Sequence, residues 1–159
     1  MTLHVALVTG GGGCIGSQVA ATLAGAGFAV AVNGINRAAA MRTVQAAEKS
    51  GSTARAHKAD VGESASVESM VATIRQGWGP VGVLVNNAGN PSRFSLLVDM
   101  SDEVWATTLQ VHVSGAFYLV RACAKRMLTR RWGCIVNMPL WHPCMVPWAA
   151  ASTALPRPG

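Results

Sequence analysis

The sequence predicts a doubly wound α/β domain on a parallel sheet, and three observations carry this reading. Short apolar runs alternate with helical stretches at the length of right-handed crossovers. The first apolar run, Val5-Ala6-Leu7-Val8-Thr9, breaks into Gly10-Gly11-Gly12-Gly13 and resumes directly as a helix. The fourth run, beginning at Val81, ends in Asn86-Asn87-Ala88-Gly89. A ligand crevice is therefore expected at the carboxyl ends of strands one and four.

Each element follows from local pattern. Residues 5–9 read as strand one and 15–26 as the first helix, stopped by Gly25 and Gly27. Residues 28–33 form strand two, 38–50 a helix closed by Gly51, and 54–58 strand three, which leads to Asp60-Val61. Ser64 or Ser66 is expected to cap a helix running to Gln76, ended by Gly77-Trp78-Gly79-Pro80. Residues 81–85 read as strand four. A polar loop precedes a long helical stretch over 101–131 with a break near Ser114-Gly115, and residues 134–137 read as strand five. From Pro139 onward three prolines and two tryptophans within ten residues show neither helical nor strand period. The reading is thus one domain over 1–138 and an irregular tail over 139–159.

Composition narrows the function classes. The chain has 159 residues, 50% hydrophobic and 13% charged, which suits a single packed core rather than disorder. No apolar stretch reaches bilayer length, and no export signal is read at the N-terminus, so the expectation is a cytoplasmic protein with no membrane partner. Cys14, Cys123, Cys134 and Cys144 are far apart without a C-x-x-C pair, which fits reduced thiols; His142 and Cys144 do not make a metal site. The net charge is +6, and Arg121, Lys125, Arg126, Arg130 and Arg131 contribute to it. Without interleaved aromatics or a nucleic-acid motif, they read as a solvated face near a helix C-terminus, and no nucleic-acid partner is expected.

A glycine-rich turn between a buried strand and a helix lets backbone approach a phosphate, and the helix offers its N-terminal N–H groups. Thr9-Gly10 with Ile15-Gly16, then Asp60-Val61, then Asn86-Asn87-Ala88-Gly89 occur in the order and spacing of the short-chain dehydrogenases/reductases. Trp105, Val111 and Phe117-Tyr118 resemble that family's fourth-helix region, and residues 133–137 its fifth strand. The resemblance covers roughly residues 3–138. It implies a Rossmann-like fold with strand order 3-2-1-4-5, a nicotinamide cofactor (NAD or NADP) and hydride transfer between a small alcohol and a ketone. The cofactor contacts it implies are Thr9, Gly10, Gly12, Gly13, Cys14, Ile15 and Gly16 around the pyrophosphate, and Asn33 and Gly34 after strand two. Asp60 with Val61 lies toward the adenine, and Asn87, Ala88, Gly89 and Val111 flank the cofactor. For Asp60 a turn or helix cap is the alternative, and for Asn87 and Gly89 an ordinary turn.

Four positions depart from the family pattern. Cys14 stands where the family has glycine, so its side chain either obstructs the pyrophosphate or strains a positive-φ backbone. Residues 32–37 carry no carboxylate to select a cofactor lacking the 2′-phosphate, and Arg37 gives a slight lean to NADP. His112 replaces the asparagine of the proton relay; it reads either as a hydrogen-bonding substitute or as a satisfied core or interface histidine. Finally, the single tyrosine, Tyr118, lies in the preceding helix, and no Y-x-x-x-K occurs. The family's serine, tyrosine and lysine fall at Pro139 or Leu140, Thr153 and Arg157. An isolated threonine cannot replace a tyrosine whose pKa a lysine lowers from near 10.

The tail reads as out of frame. Shifted by one base, with suitable third bases, residues 152–159 can be written Lys-Tyr-Gly-Leu-Thr-Lys-Ala-Gly, whose tyrosine and lysine fall on positions 153 and 157. A natural tail of unusual composition is the alternative. Two functions follow from these residues: an NAD(P)-dependent oxidoreductase by lineage, or a catalytically inactive nucleotide-binding chain lacking the last strands of the family fold. The family is usually homo-oligomeric, and an incomplete interface is expected here.

Overall fold

The computed structural model describes residues 4–90 and 97–138. Within them five strands form one parallel sheet: β1 (Val5–Val8), β2 (Ala29–Asn33), β3 (Ala54–His57), β4 (Val81–Asn86) and β5 (Cys134–Asn137). The sheet order is β3-β2-β1-β4-β5, and each neighbouring pair is parallel. The chain reverses direction of growth between β3 and β4, so β1 and β4 flank the switch point where doubly wound sheets bind ligands. The crossovers are α1 (Cys14–Gly25), α2 (Arg37–Lys49), α3 (Ser64–Trp78), α4 (Asp102–Leu109) and α5 (Gly115–Arg130).

Central strands are apolar along their whole length because helices cover both faces. Every residue of β1, β2 and β4 is buried. Alternate side chains divide into two cores: Val5, Leu7, Leu84, Ile74, Leu119 and Met127 fill one face, and Ala6, Val8, Val32, Val44, Val83 and Val85 the other. Alanines at 20, 24, 40 and 47 bring α1 and α2 close to the second face. The edge strands differ. β3 is half-buried, and β5 exposes Cys134, Val136 and Asn137.

Element types match the sequence reading, and three local details correct it. Neither Ser64 nor Ser66 caps α3: Glu63 holds the cap position without a side-chain bond, Ser64 donates to Glu68 Oε1 at 3.2 Å, and Ser66 Oγ accepts from the Asp60 N–H at 3.1 Å. α3 also continues through Gly77 to Trp78 before Gly79. The expected break near Ser114-Gly115 is a π-helical turn over Gln110–Ser114, because an extra residue in the turn shifts helix phase without ending the helix. The tail, with Leu140, Thr153 and Arg157, lies outside the described residues.

Candidate functional site: a crevice at the switch point

The site begins with an uncapped helix. Gly13 occupies the cap position of α1 and offers no side-chain acceptor, and the first turn carries no acidic residue. Helix N-terminal N–H groups and the positive end of the dipole are thus left to a ligand. By contrast α2 is capped by Asn36, whose Oδ1 accepts from the Ala39 N–H at 3.1 Å. Gly10 turns the chain at φ +62°, and a Cβ there would lie 2.9 Å from the Ala88 Cα. At Gly16 a Cβ would run into the Gly10 carbonyl oxygen and come within 2.6 Å of Asn87 Nδ2. Only glycine fits both positions, so the loop and the end of β4 are in direct backbone contact.

A polar clamp fixes that contact. Thr9 Oγ1 donates to the Val85 carbonyl at 3.2 Å and accepts from the Asn87 and Ala88 N–H groups, each at 3.0 Å. Asn87 Nδ2 donates to the Thr9 carbonyl at 2.9 Å and the Gly10 carbonyl at 3.3 Å. Across the loop, Thr43 Oγ1 of α2 donates to the Gly11 carbonyl at 2.9 Å, and the Gly11 N–H donates to the Asn33 carbonyl at 2.8 Å. A buried Thr9 and an Asn87 with both carbonyls in reach make the loop shape a consequence of residues nearly eighty positions apart.

Above this floor lie two joined cavities. The first, about 450 Å³, is bordered by Gly10, Gly12, Gly13, Asn33, Gly34, Asp60, Val61, Ala88, Gly89 and Val111, all expected from the sequence. The second, about 610 Å³, continues past Ala88, Asn90 and Val111 to the ends of β4 and β5, where Thr9, Asn86, His112 and Asn137 face it. Asp60 serves the turn and the cavity together: its Oδ1 accepts from the Gly62 N–H at 2.8 Å, and the residue still lines the first cavity. The π turn is held against this segment, since Gln110 Nε2 donates to the Gly62 carbonyl. Val111 borders both cavities and His112 the second. Burial holds the His112 imidazole below its usual value of 6.5.

Several expected residues lie outside the first cavity. Thr9 lines the second cavity rather than the first; Asn87 and Gly16 build the floor and border neither. Cys14 and Ile15 are exposed on the first turn of α1 and also border neither cavity. The strain expected at Cys14 is absent, because it is an ordinary helical residue; the positive φ belongs to Gly10. His112 is half-buried on a cavity wall, so it is not a core histidine. Arg37, the first residue of α2, lines a groove with Arg55 and His57. The basic stretch is a solvated face in part: Arg121 pairs with Glu68 at 3.2 Å and stacks on Phe117 and Tyr118. Tyr118 borders neither cavity.

Sequence reasoning missed Ile35, Asn90 and Thr107 in the first cavity, and Asn86, Asn137 and Thr108 in the second. Ile35, 65% exposed beside Gly34, carried a readable signal, an apolar side chain in a polar loop. Asn86 is the more telling omission. It is 8% exposed, its Nδ2 donates to Asn137 Oδ1 at 2.7 Å, and its own Oδ1 is buried with no partner among the described residues. A buried orphan acceptor costs roughly 1–3 kcal/mol. No group of three or more potential metal ligands occurs among the described residues, and no described helix is long and apolar enough to cross a membrane.

Comparison with known proteins agrees with this geometry. The model of the short chain dehydrogenase family matches residues 4–139. The chain is 37% identical over 134 residues to the 2,3-dihydro-2,3-dihydroxybenzoate dehydrogenase of Bacillus subtilis, covering 84% of this chain and 51% of the relative. It is 36% identical over 135 residues to the 3-oxoacyl-(acyl-carrier-protein) reductase FabG of Escherichia coli, covering 84% and 53%. The chain thus spans about half the length of the curated relatives it matches. A crystal structure of NAD+-bound xylitol dehydrogenase superposes with a TM-score of 0.80 at 34% identity, over 84% of this chain and 52% of that one. A metagenomic short-chain oxidoreductase in complex with NADP gives 0.79 at 26%, over 85% and 62%. With the glycine turn, the 3-2-1-4-5 sheet and the family match over residues 4–139 in agreement, the chain belongs to the short-chain dehydrogenase family.

Proposed function

We propose that this chain binds a nicotinamide dinucleotide, NAD or NADP, in the two joined cavities, as an oxidoreductase of its family. The observation that carries this reading is the uncapped α1 N-terminus above a loop in which Gly10 and Gly16 leave no space for a Cβ. The residues fit the group: small side chains at Gly12, Gly13, Ala88 and Gly89 leave backbone bare where a pyrophosphate would lie, and Asp60 would meet the adenine amine. Asn33, Gly34 and Val61 would border the adenosine, and Thr9, Val111 and His112 the nicotinamide end. A bound nicotinamide supplies hydride transfer between an alcohol and a ketone. The solved neighbours named for NAD+ and NADP support either cofactor.

A second reading has its own observation. The only tyrosine, Tyr118, sits in α5 with Ala122, not lysine, four residues on, and it faces neither cavity. On this reading the chain binds the nucleotide without turning it over, and residues 139–159 are an out-of-frame tail. The family match ending at residue 139 supports that boundary. Titration with NADH and NADPH, followed by nicotinamide fluorescence, tests binding; NAD(P)H oxidation against a panel of ketones tests chemistry. Fluorescence enhancement with either nucleotide is the expected result, and its absence overturns the proposal. Turnover selects the first reading, and binding without turnover the second. Codons for Ser152-Thr153 that contain no embedded TAC or TAT would exclude the frameshift.

A further inference from the structure

Resting on the dinucleotide reading, we propose that His112 makes this chain discriminate between oxidised and reduced nicotinamide nucleotides as a function of pH. Protonated His112 disfavours the oxidised form. The argument starts from the cavity wall. Thr9 at the end of β1, Val61 before α3, Asn86 of β4, Asn137 of β5, Thr108 of α4 and Leu119 of α5 all face the second cavity, and none carries a charge. Among the described residues His112 is the one ionisable side chain on that wall. The π turn puts it there, anchored through Gln110 to the Gly62 carbonyl.

The ligand supplies the asymmetry. An oxidised nicotinamide ring is a pyridinium cation, and the reduced ring is neutral, while the phosphates are the same in both. On the dinucleotide reading the adenosine half would lie in the first cavity, bordered by Asp60 and Asn33, and the ring in the second. A neutral imidazole is indifferent to the ring's charge. An imidazolium on the same wall, which carries no other charge among the described residues, repels a pyridinium but not a dihydropyridine. Because burial lowers the imidazole's proton affinity, the effect is confined to pH below 6.5. The reciprocal linkage also holds: the oxidised nucleotide makes His112 harder to protonate, and the reduced nucleotide does not.

The experiment measures dissociation constants of the full chain for NAD+ and NADH, and for NADP+ and NADPH, at about pH 8 and about pH 5. Using the ratio of oxidised to reduced constants cancels contributions common to both forms. The expected ratio rises roughly fivefold to tenfold on acidification, the size of a unit-charge repulsion across a partly screened cavity. In His112→Gln the ratio stays flat. As a check independent of that variant, the His112 imidazole, followed by NMR in the native chain, titrates at lower pH with NAD+ than with NADH. An unchanged ratio with both forms bound, or the same pH response in H112Q, overturns this proposal and leaves the dinucleotide reading standing. Failure of all four nucleotides to bind overturns both.

Discussion

Around residues 10–16 the crevice wall is backbone, while around the ends of β4 and β5 it is side chains. The first region has glycines packed at van der Waals limits, a buried Thr9 and an Asn87 whose amide reaches both neighbouring carbonyls. The second has an Asn86 oxygen with no partner among the described residues, a half-buried His112 and a strand, β5, that exposes Cys134, Val136 and Asn137. The same fold thus contains a binding surface specified by the shape of the main chain and one specified by particular side groups. Shape is inherited with the fold. Side groups can change one at a time, and His112 is such a side group on the wall of the second region.

The largest contrast is in stability. Leu84, wholly buried in β4, should lose about 2–5 kcal/mol on Leu84→Ala, whereas Val136→Ala in β5, 41% exposed, should lose well under half of that. Denaturant unfolding of both variants measures the difference; equal losses would mean that β5 is covered to the same extent as the centre. Next is the clamp. Asn87→Ala removes the donor shared by the Thr9 and Gly10 carbonyls and should weaken dinucleotide binding or stability by about 1–3 kcal/mol, with the loss visible for oxidised and reduced forms alike. A loss confined to one redox form would assign Asn87 to the second region instead.

The thiols give a kinetic version of the same comparison. Cys123 is buried in the core and its thiol is pushed up to about 12, so it should resist alkylation at neutral pH until the chain unfolds. Cys14 is exposed at the start of α1 and should react freely, with protection on addition of the dinucleotide. Peptide mapping by mass spectrometry reads both sites at once. Protection of Cys123 but not of Cys14 by the nucleotide would move the ligand away from the glycine loop.

The smallest effect concerns the far edge. Burial, then Arg55 and Arg37, hold His57 below 6.5 in the folded chain. The unfolded chain takes up that proton more readily, so stability falls as pH drops below 6.5 towards the folded value. His57→Gln should flatten part of this slope in thermal unfolding across that range. A slope identical to that of the native chain would show that His57 is already solvated.

Alternation of apolar runs and helices was enough to set a parallel doubly wound sheet, because each βαβ unit has one favoured hand and buried strands announce themselves by unbroken apolar sequence. The order 3-2-1-4-5 came with the family resemblance, since the same alternation also permits 2-1-3-4-5. The glycine turn and Asp60 were legible for the same reason: their spacing is local to a strand end. The Thr9–Asn87 clamp was not, since the two residues lie 78 positions apart and meet only when β1 pairs with β4. Nor was the π turn, whose extra residue leaves a helical pattern looking merely interrupted. The tertiary structure alone decided that Arg37 lines a different groove from Gly34, that Asn86 Oδ1 is buried with no partner among the described residues, and that His112 faces a cavity. Patterning fixes which side of an element is apolar. Where a polar side chain ends up depends on distant segments converging on it.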